Sequence, residues 1–265
     1  MTEDAGLPAT LATEPPAGVP AGVPTAPRRR IRDALPVLLV RAAHPRQALL
    51  TAAALALVAA VAGRPGREVL LVLGTVLVGQ TVLGWHNDLL DRERDRRHER
   101  TGKPVADGRL DPGTLWFALC CAVLVLVPVA VAGGVLAGAC YLGSVVIGCL
   151  GNLPSRLLRT GLLSWLPWAA AFALYPAFLS YGGWGGQAEG DPPHLAMVGL
   201  AALAGVGVHH LCALWGLVDD HEDGWTYLPL RIGLRLGATR LLIVSLVFLA
   251  AVTVALAAVG RQVGL

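Results

Sequence analysis

Acidic side chains recur at a helical spacing just after the second apolar stretch of the chain. If that stretch continues as a helix, Asn87, Asp91, Asp95 and Glu99 lie four residues apart and share one face. Two carboxylates about 6 Å apart repel by roughly 3 kcal/mol at an effective dielectric near 20, so a positive partner is expected between them. Mg²⁺ binds such oxygen donors together with substrate phosphates. The spacing therefore indicates a magnesium site that would hold a diphosphate.

The same segment can also be interpreted as a solvated helix without a ligand. Asp91 and Arg94 are three residues apart, and so are Arg92 and Asp95. This is the spacing of ordinary ion pairs along a helix. On spacing alone, both interpretations stay open.

A second group of acids follows the sixth apolar stretch, in the run Asp219-Asp220-His221-Glu222-Asp223. The distribution of basic residues places it on the same side of a membrane as the first group. Metal ions held by two such groups would neutralise a leaving diphosphate, while an apolar cavity shelters the resulting carbocation. The presence of both groups therefore favours the metal site.

The elements that must position these acids are long apolar segments. The chain has 265 residues, of which 55% are hydrophobic and 15% are charged, whereas a soluble domain carries about 25% charge. Seven segments are long enough to span about 30 Å of hydrocarbon, and they cover residues 43–62, 69–87, 114–132, 134–153, 161–181, 194–218 and 240–260. The sequence predicts an all-α, polytopic transmembrane helical bundle of about seven spans.

Basic residues predict how this bundle is oriented. With the N-terminus inside, 18 Lys and Arg residues lie on the inner side, and Arg64, Arg67 and Arg261 lie outside. Inner loops are typically the basic ones, so we expect a multi-pass protein of the cell membrane with its N-terminus and both acidic groups in the cytoplasm. Residues 1–40 are predicted to be a disordered tail ending in a basic juxtamembrane segment. The arginines lie beside acids rather than on one basic face, so no nucleic-acid partner is expected.

Asn87, Asp88, Asp91 and Asp95 match the motif Asn-Asp-x-x-Asp-x-x-x-Asp, and in this the chain resembles the UbiA superfamily of intramembrane prenyltransferases, in its actinobacterial type. Residues 103–110 are similar to the (Arg or Lys)-Pro-x-x-x-Gly-x-(Leu or Ile) segment that follows this motif in the family. Residues 228–233 are similar to the segment after the family's second motif. The resemblance extends from about residue 41 to 260.

The resemblance implies Mg²⁺-dependent transfer of an isoprenyl group from an allylic diphosphate to an aromatic or other apolar acceptor within the membrane. Residues 41–265 would form the transmembrane prenyltransferase-like domain. The acids Asp91, Asp95 and Asp220 would be catalytic. Metal would be held by Asn87, Asp88, Asp91, Asp95, Asp219, Asp220 and Asp223. Diphosphate would be bound by Arg92, Lys103, Arg109 and Arg159. The expected partners are the prenyl diphosphate, the apolar acceptor and the lipid bilayer, and a homo-oligomer is left open.

The chain departs from the family at its second motif, which is usually Asp-x-x-x-Asp with a Gly four residues further on. Anchored on Gly224, the second Asp is Asp220, and the first position holds Gly216. The register Asp219-x-x-x-Asp223 restores the spacing but displaces the Gly. The family usually has nine spans, whereas about seven are expected here. Two alternatives therefore stay open: a UbiA-type terpene cyclase acting on farnesyl or geranylgeranyl diphosphate, and a non-catalytic membrane relative.

Overall fold

The computed structural model describes residues 31–183 and 190–263, and within these ranges the regular structure is entirely helical. A short 3₁₀ turn at Ile31–Asp33 precedes the first α-helix. The α-helices are α1 (Leu35–Ala42), α2 (Pro45–Val61), α3 (Gly66–Arg97), α4 (Pro112–Val131), α5 (Val135–Asn152), α6 (Arg156–Thr160), α7 (Leu166–Ser180), α8 (Leu195–Ala213), α9 (Leu217–Glu222), α10 (Leu228–Leu236) and α11 (Ala238–Gln262).

The long helices fall at the seven predicted apolar segments. Among the described residues, α3, α4, α5, α8 and α11 are long and apolar enough to cross a membrane. Helices α1 and α2 pass the same test as a pair but are bent by 63°, and α7 is a shorter apolar helix. The prediction of an all-α polytopic helical bundle is therefore confirmed. Its orientation in the membrane stays a prediction.

Two predicted boundaries differ from the structure. The predicted tail lies outside the described residues as far as residue 30, but Leu35–Ala42 form α1, so the boundary at residue 40 falls inside a helix. The sixth span was predicted to run to residue 218, yet α8 ends at Ala213 and a turn leads into α9 at Leu217. The turn separates the second acidic group from the membrane-crossing helix.

The bend between α1 and α2 has a local cause. Pro45 is the first residue of α2, and a proline lacks the N–H that would continue α1. His44 precedes it with a left-handed φ of 52°. Trp85 on α3 donates from Nε1 to the carbonyl of Leu39 at 2.8 Å, and a Cβ on Gly84 would lie 2.7 Å from the backbone of Ala43. The bend therefore holds His44 tightly against the C-terminal half of α3.

The centre of the bundle is packed around Tyr141 of α5, which is fully buried. Its hydroxyl donates to the carbonyl of Val76 on α3 at 3.1 Å, and its ring lies 4.9 Å from that of Phe178 on α7. Gly79 leaves room for the tyrosine, since any side chain there would collide with its ring. These contacts fix α3, α5 and α7 relative to one another.

The outer surface of the bundle is apolar. Phe117 and Leu124 of α4 and Val247 of α11 are among the large hydrophobic side chains that are exposed. A soluble protein rarely leaves so much apolar surface in water, whereas lipid tails solvate it well. The surface therefore fits a protein that is embedded in a bilayer.

Candidate functional site

The first acidic group occupies the last turns of α3, where two of its carboxylates are buried. Asp88 is 2% exposed and Asp95 is 5% exposed. Lys103, in the loop after α3, places Nζ 2.5 Å from Oδ1 of Asp88 and 3.5 Å from Oδ2 of Asp95. His44 Nε2 lies 2.8 Å from the same Oδ1 of Asp88. One lysine therefore compensates two buried acids, which stabilises both in this apolar setting.

Asn87 and Asp91 lie one turn apart and touch, as the helical spacing predicts. The amide Nδ2 of Asn87 donates to Oδ2 of Asp91 at 2.9 Å. Within the described ranges, Asp91 has no basic side chain within ion-pair distance. Glu99 does not continue this face, because α3 ends at Arg97 and Glu99 has a left-handed φ of 48°. Extending the acidic face to Glu99 was therefore wrong.

The second acidic group meets the first through Arg94, which belongs to α3. Arg94 donates from Nη2 to Oδ1 of Asp220 at 2.6 Å and from Nε to Oδ2 of Asp223 at 2.5 Å. Asp220 also accepts a short hydrogen bond from the hydroxyl of Tyr227 at the start of α10. Stretches more than 120 residues apart in sequence thus converge on one guanidinium. We call the acids of both stretches, together with Arg94, Arg100 and Lys103, the charge cluster.

Two further side chains from the end of α3 complete the contact between the stretches. His98 Nε2 lies 3.0 Å from Oδ1 of Asp223. Arg100 donates from Nε to Oδ2 of Asp219 at 2.6 Å, and the same Nε is 4.0 Å from Oδ1 of Asp95. Each of the three predicted aspartate ligands of the second stretch is therefore paired with Arg94 or Arg100.

The environments of Asp220 and Asp223 shift their pKa values in opposite directions. Burial raises the pKa of Asp220 above its ordinary value, against the opposing effect of the hydrogen bonds from Tyr227 and Arg94. Burial would also raise the pKa of Asp223, but its hydrogen bonds with Arg94 and His98 outweigh that effect and lower its pKa. Asp223 is thus held as an anion beside the guanidinium.

Aromatic rings surround the Arg94 side of the charge cluster. The guanidinium carbons of Arg94 and Arg159 lie 4.3 and 4.5 Å from the ring centroid of Trp225, within the range of cation–π attraction. The ring of Tyr227 follows at 6.1 Å from Trp225 and at 6.1 Å from His209 of α8. A series of rings therefore leads from Trp225, beside the two arginines, to His209 of α8.

The predicted diphosphate-binding residues fall into two sets. Lys103 and Arg159 lie in or beside the charge cluster, as described above. Arg92 pairs with Glu93 at 3.3 Å, and Arg109 pairs with Asp107 at 2.5 Å and with Asp33 at 3.7 Å. None of these partners is a predicted metal ligand. The binding roles of all four basic residues stay predictions.

Sequence reasoning missed the residues that join the two stretches: Arg94, His98, Arg100, His44 and Tyr227. The helical spacing pairs Arg94 with Asp91, three residues earlier. Its hydrogen-bonded partners in the structure are instead 126 and 129 residues away. No signal in the sequence pointed to these pairs, because residues 88–100 contain five arginines and five acids, enough for every arginine to pair locally.

Whether the residues fit a divalent cation can be judged from their oxygens. Within the described ranges, no three His, Cys, Asp or Glu side chains converge on one point. However, Oδ2 of Asp88 and Oδ2 of Asp95 are buried and accept no hydrogen bond from the described residues, which is costly for a carboxylate. Asn87 and Asp91 add oxygens without an ion-paired base. Oxygen atoms that can still accept a ligand, such as those of Asn87 and Asp91 and Oδ2 of Asp88, suit Mg²⁺ at the end of α3.

Comparison with known proteins gives a family and a set of similar folds. Residues 44–265 match the model of the UbiA prenyltransferase family. No protein with a curated description matches the sequence. A UbiA homolog from Archaeoglobus fulgidus bound to GPP and Mg²⁺ is 19% identical, with a TM-score of 0.64, over 85% of this chain and 78% of that chain.

Two further structures of a UbiA homolog from Archaeoglobus fulgidus show the same similarity. The structure bound to DMAPP and Mg²⁺ is 18% identical, with a TM-score of 0.63, over 84% of this chain and 78% of that chain. The structure bound to Cd²⁺ is 14% identical, with a TM-score of 0.60, over 86% of this chain and 90% of that chain. At these identities the likeness shows a shared fold.

Proposed function

The chain belongs to the UbiA prenyltransferase family, and we propose that it is a membrane prenyltransferase that uses Mg²⁺ to transfer an isoprenyl group from an allylic diphosphate to an aromatic or other apolar acceptor. Structures with the same fold bound to GPP or DMAPP together with Mg²⁺ support this choice of donor and metal. The observation that carries the proposal is the meeting of the two acidic stretches at one end of the helices.

In the proposed site, Mg²⁺ would be held by oxygens of Asn87 and Asp91, and Oδ2 of Asp88 on the same helix is buried and accepts no hydrogen bond from the described residues. When bound there, the metal would supply positive charge to the leaving diphosphate. Asp219, Asp220 and Asp223 would act on the other side by holding basic side chains in place. The catalytic and binding roles of all these residues are part of the proposal.

The basic residues would neutralise the charge that develops on the diphosphate. Among the residues that the structure describes, Arg159 lies against Trp225 and forms no ion pair with an acid, so its guanidinium donors can turn toward phosphate oxygens. Lys103 lies between Asp88 and Asp95 and would reach the same group. Fixed donors of this kind stabilise developing charge without reorganising during the reaction.

The reaction would separate charge at the boundary between the cluster and the apolar helices. The bond between C1 of the prenyl chain and the bridging oxygen breaks, and the diphosphate leaves with the electron pair. Exclusion of water by the helices, and the faces of Trp225 and Tyr227, would protect the allylic cation. A nucleophilic carbon of the acceptor would then bond to C1, and the proton that this carbon carried would pass to the released diphosphate.

Product analysis tests the proposal. Membranes containing the protein are incubated with radiolabelled geranyl, farnesyl or geranylgeranyl diphosphate and Mg²⁺, with and without a panel of phenolic and hydroquinone acceptors. We expect a prenylated product that requires an acceptor, disappears when EDTA removes Mg²⁺ and returns when Mg²⁺ is restored. Membranes from cells lacking the protein are the control.

Other products would point to the two alternatives. A cyclic hydrocarbon formed without any acceptor would show a terpene cyclase, which shares the ionisation step but captures the cation with the substrate's own double bond. Unchanged diphosphate under every condition would contradict an enzymatic function and favour a non-catalytic relative.

A further inference from the structure

Arg94 occupies the position between the two carboxylates of the second acidic stretch. Its side chain is 13% exposed, and those of Asp220 and Asp223 are 7% and 12% exposed. Two of its nitrogens bond to two different carboxylates at 2.6 and 2.5 Å. A guanidinium keeps its proton throughout the physiological pH range, so this charge is permanent.

The absence of a side chain at Gly216 leaves room for the carboxylate of Asp220 beside Arg94. A Cβ at Gly216 would lie 2.8 Å from Oδ2 of Asp220, so the carboxylate of Asp220 fills the space where a side chain at that position would begin. The carboxylate is held there by Tyr227 and Arg94 together. Position 216 therefore supplies no acidic ligand. The acid closest to it, Asp220, is already paired with Arg94.

The two halves of the charge cluster therefore differ in what they offer to a metal. Asp91 accepts a hydrogen bond from a neutral amide and has no ion-paired base among the described residues, whereas Asp88 and Asp95 share Lys103 and Oδ2 of Asp88 accepts no hydrogen bond there. The carboxylates of Asp220 and Asp223 are bound to a fixed guanidinium instead. A divalent ion shared by Asp220 and Asp223 would have to displace the largely buried Arg94, which would leave that arginine without its partners.

We propose that Arg94 takes the place of one divalent cation, so that the site binds a single metal ion, on the Asn87–Asp91 side, and receives its positive charge on the Asp220–Asp223 side from the guanidinium. This inference rests on the proposed function, because it assumes that the site binds a metal ion and a diphosphate. It concerns how many ions bind, and it leaves the reaction type open.

The number of bound ions can be counted with Mn²⁺, whose free ion has a strong EPR signal that is lost on binding. Purified protein in detergent is titrated with Mn²⁺ alone and again with one equivalent of inorganic pyrophosphate, each against a protein-free blank. We expect one Mn²⁺ per chain for the native protein and none for Asp91→Asn. Arg94→Gln is expected to bind two, because Asp220 and Asp223 lose their cation.

Arg96→Gln is the matched control, since it removes the same charge two residues along α3 from a side chain that pairs with exposed Glu93. It is expected to bind one Mn²⁺. If Arg94→Gln does not fold, Asp223→Asn is measured in its place. Asp223 pairs with Arg94 and, on this proposal, does not bind the metal ion, so Asp223→Asn should still bind one Mn²⁺ per chain.

The outcomes separate this inference from the proposed function. Two Mn²⁺ ions in the native protein, a count of one in folded Arg94→Gln, or loss of the ion in Asp223→Asn would overturn the single-metal site and leave the proposed transferase intact. A native protein that binds no Mn²⁺ even with pyrophosphate would overturn both.

Discussion

Asp91→Asn is expected to lower kcat/KM for the allylic diphosphate by about 10²–10³-fold, which is the size of effect seen when one strong stabilising group is removed from an active site. Asp91 is the predicted ligand whose carboxylate is not paired with a base in the described structure, so its charge is available to the metal ion. The substitution keeps the shape of the side chain and its contact with Asn87. Initial rates with radiolabelled geranyl diphosphate at saturating Mg²⁺ measure the effect.

Glu93→Gln provides the comparison for Asp91→Asn. Glu93 lies on the same helix, with a side chain that is 64% exposed, and pairs with Arg92 and Arg96 at the surface. The change removes the same charge at a place that is screened by solvent, so the rate should stay near the native value. Equal rates for native protein and Asp91→Asn would remove the metal-ligand role of Asp91.

Lys103→Met is expected to have the largest effect on stability. It leaves Asp88 and Asp95 buried without their lysine, and removing one partner of a buried ion pair typically costs about 3–5 kcal/mol. His44 still contacts Asp88 and offsets part of that cost. Thermal unfolding of the purified protein in detergent measures the loss as a lower Tm.

Adding Asp88→Asn to Lys103→Met is expected to recover part of the lost stability, because the more deeply buried charge is then removed. Arg109→Met serves as the control, since its pairs with Asp107 and Asp33 are partly exposed and typically contribute about 0–1 kcal/mol. A Tm for Lys103→Met equal to that of Arg109→Met would show that Lys103 does not stabilise the two acids.

The helical arrangement follows from the sequence because apolar length and helical spacing are local properties. The assumption that the second span continues as a helix placed Asn87 and Asp91 in contact, and α3 runs unbroken to Arg97. The same spacing grouped Asp95 with them. The structure shows that Asp95 is buried beside Lys103 and Asp88, which depends on how the loop after α3 folds back.

The pairing between the two stretches could not be predicted because it is a tertiary contact. Local spacing pairs Arg94 with Asp91, but a salt bridge forms with whichever acids the fold brings nearest, and these are Asp220 and Asp223. The two possible registers of the second motif were undecidable for the same reason. Helix α9 and the residue that follows it present Asp220 and Asp223, one from each register, to the same guanidinium.

Equilibrium binding of radiolabelled geranyl diphosphate to the purified protein tests most directly whether the charge cluster is a metal-dependent diphosphate site. We predict saturable binding in the presence of Mg²⁺ that is lost when EDTA is added and is lost in Asp91→Asn even with Mg²⁺. Absence of binding, or binding of equal strength with Mg²⁺ and with EDTA, would contradict such a site.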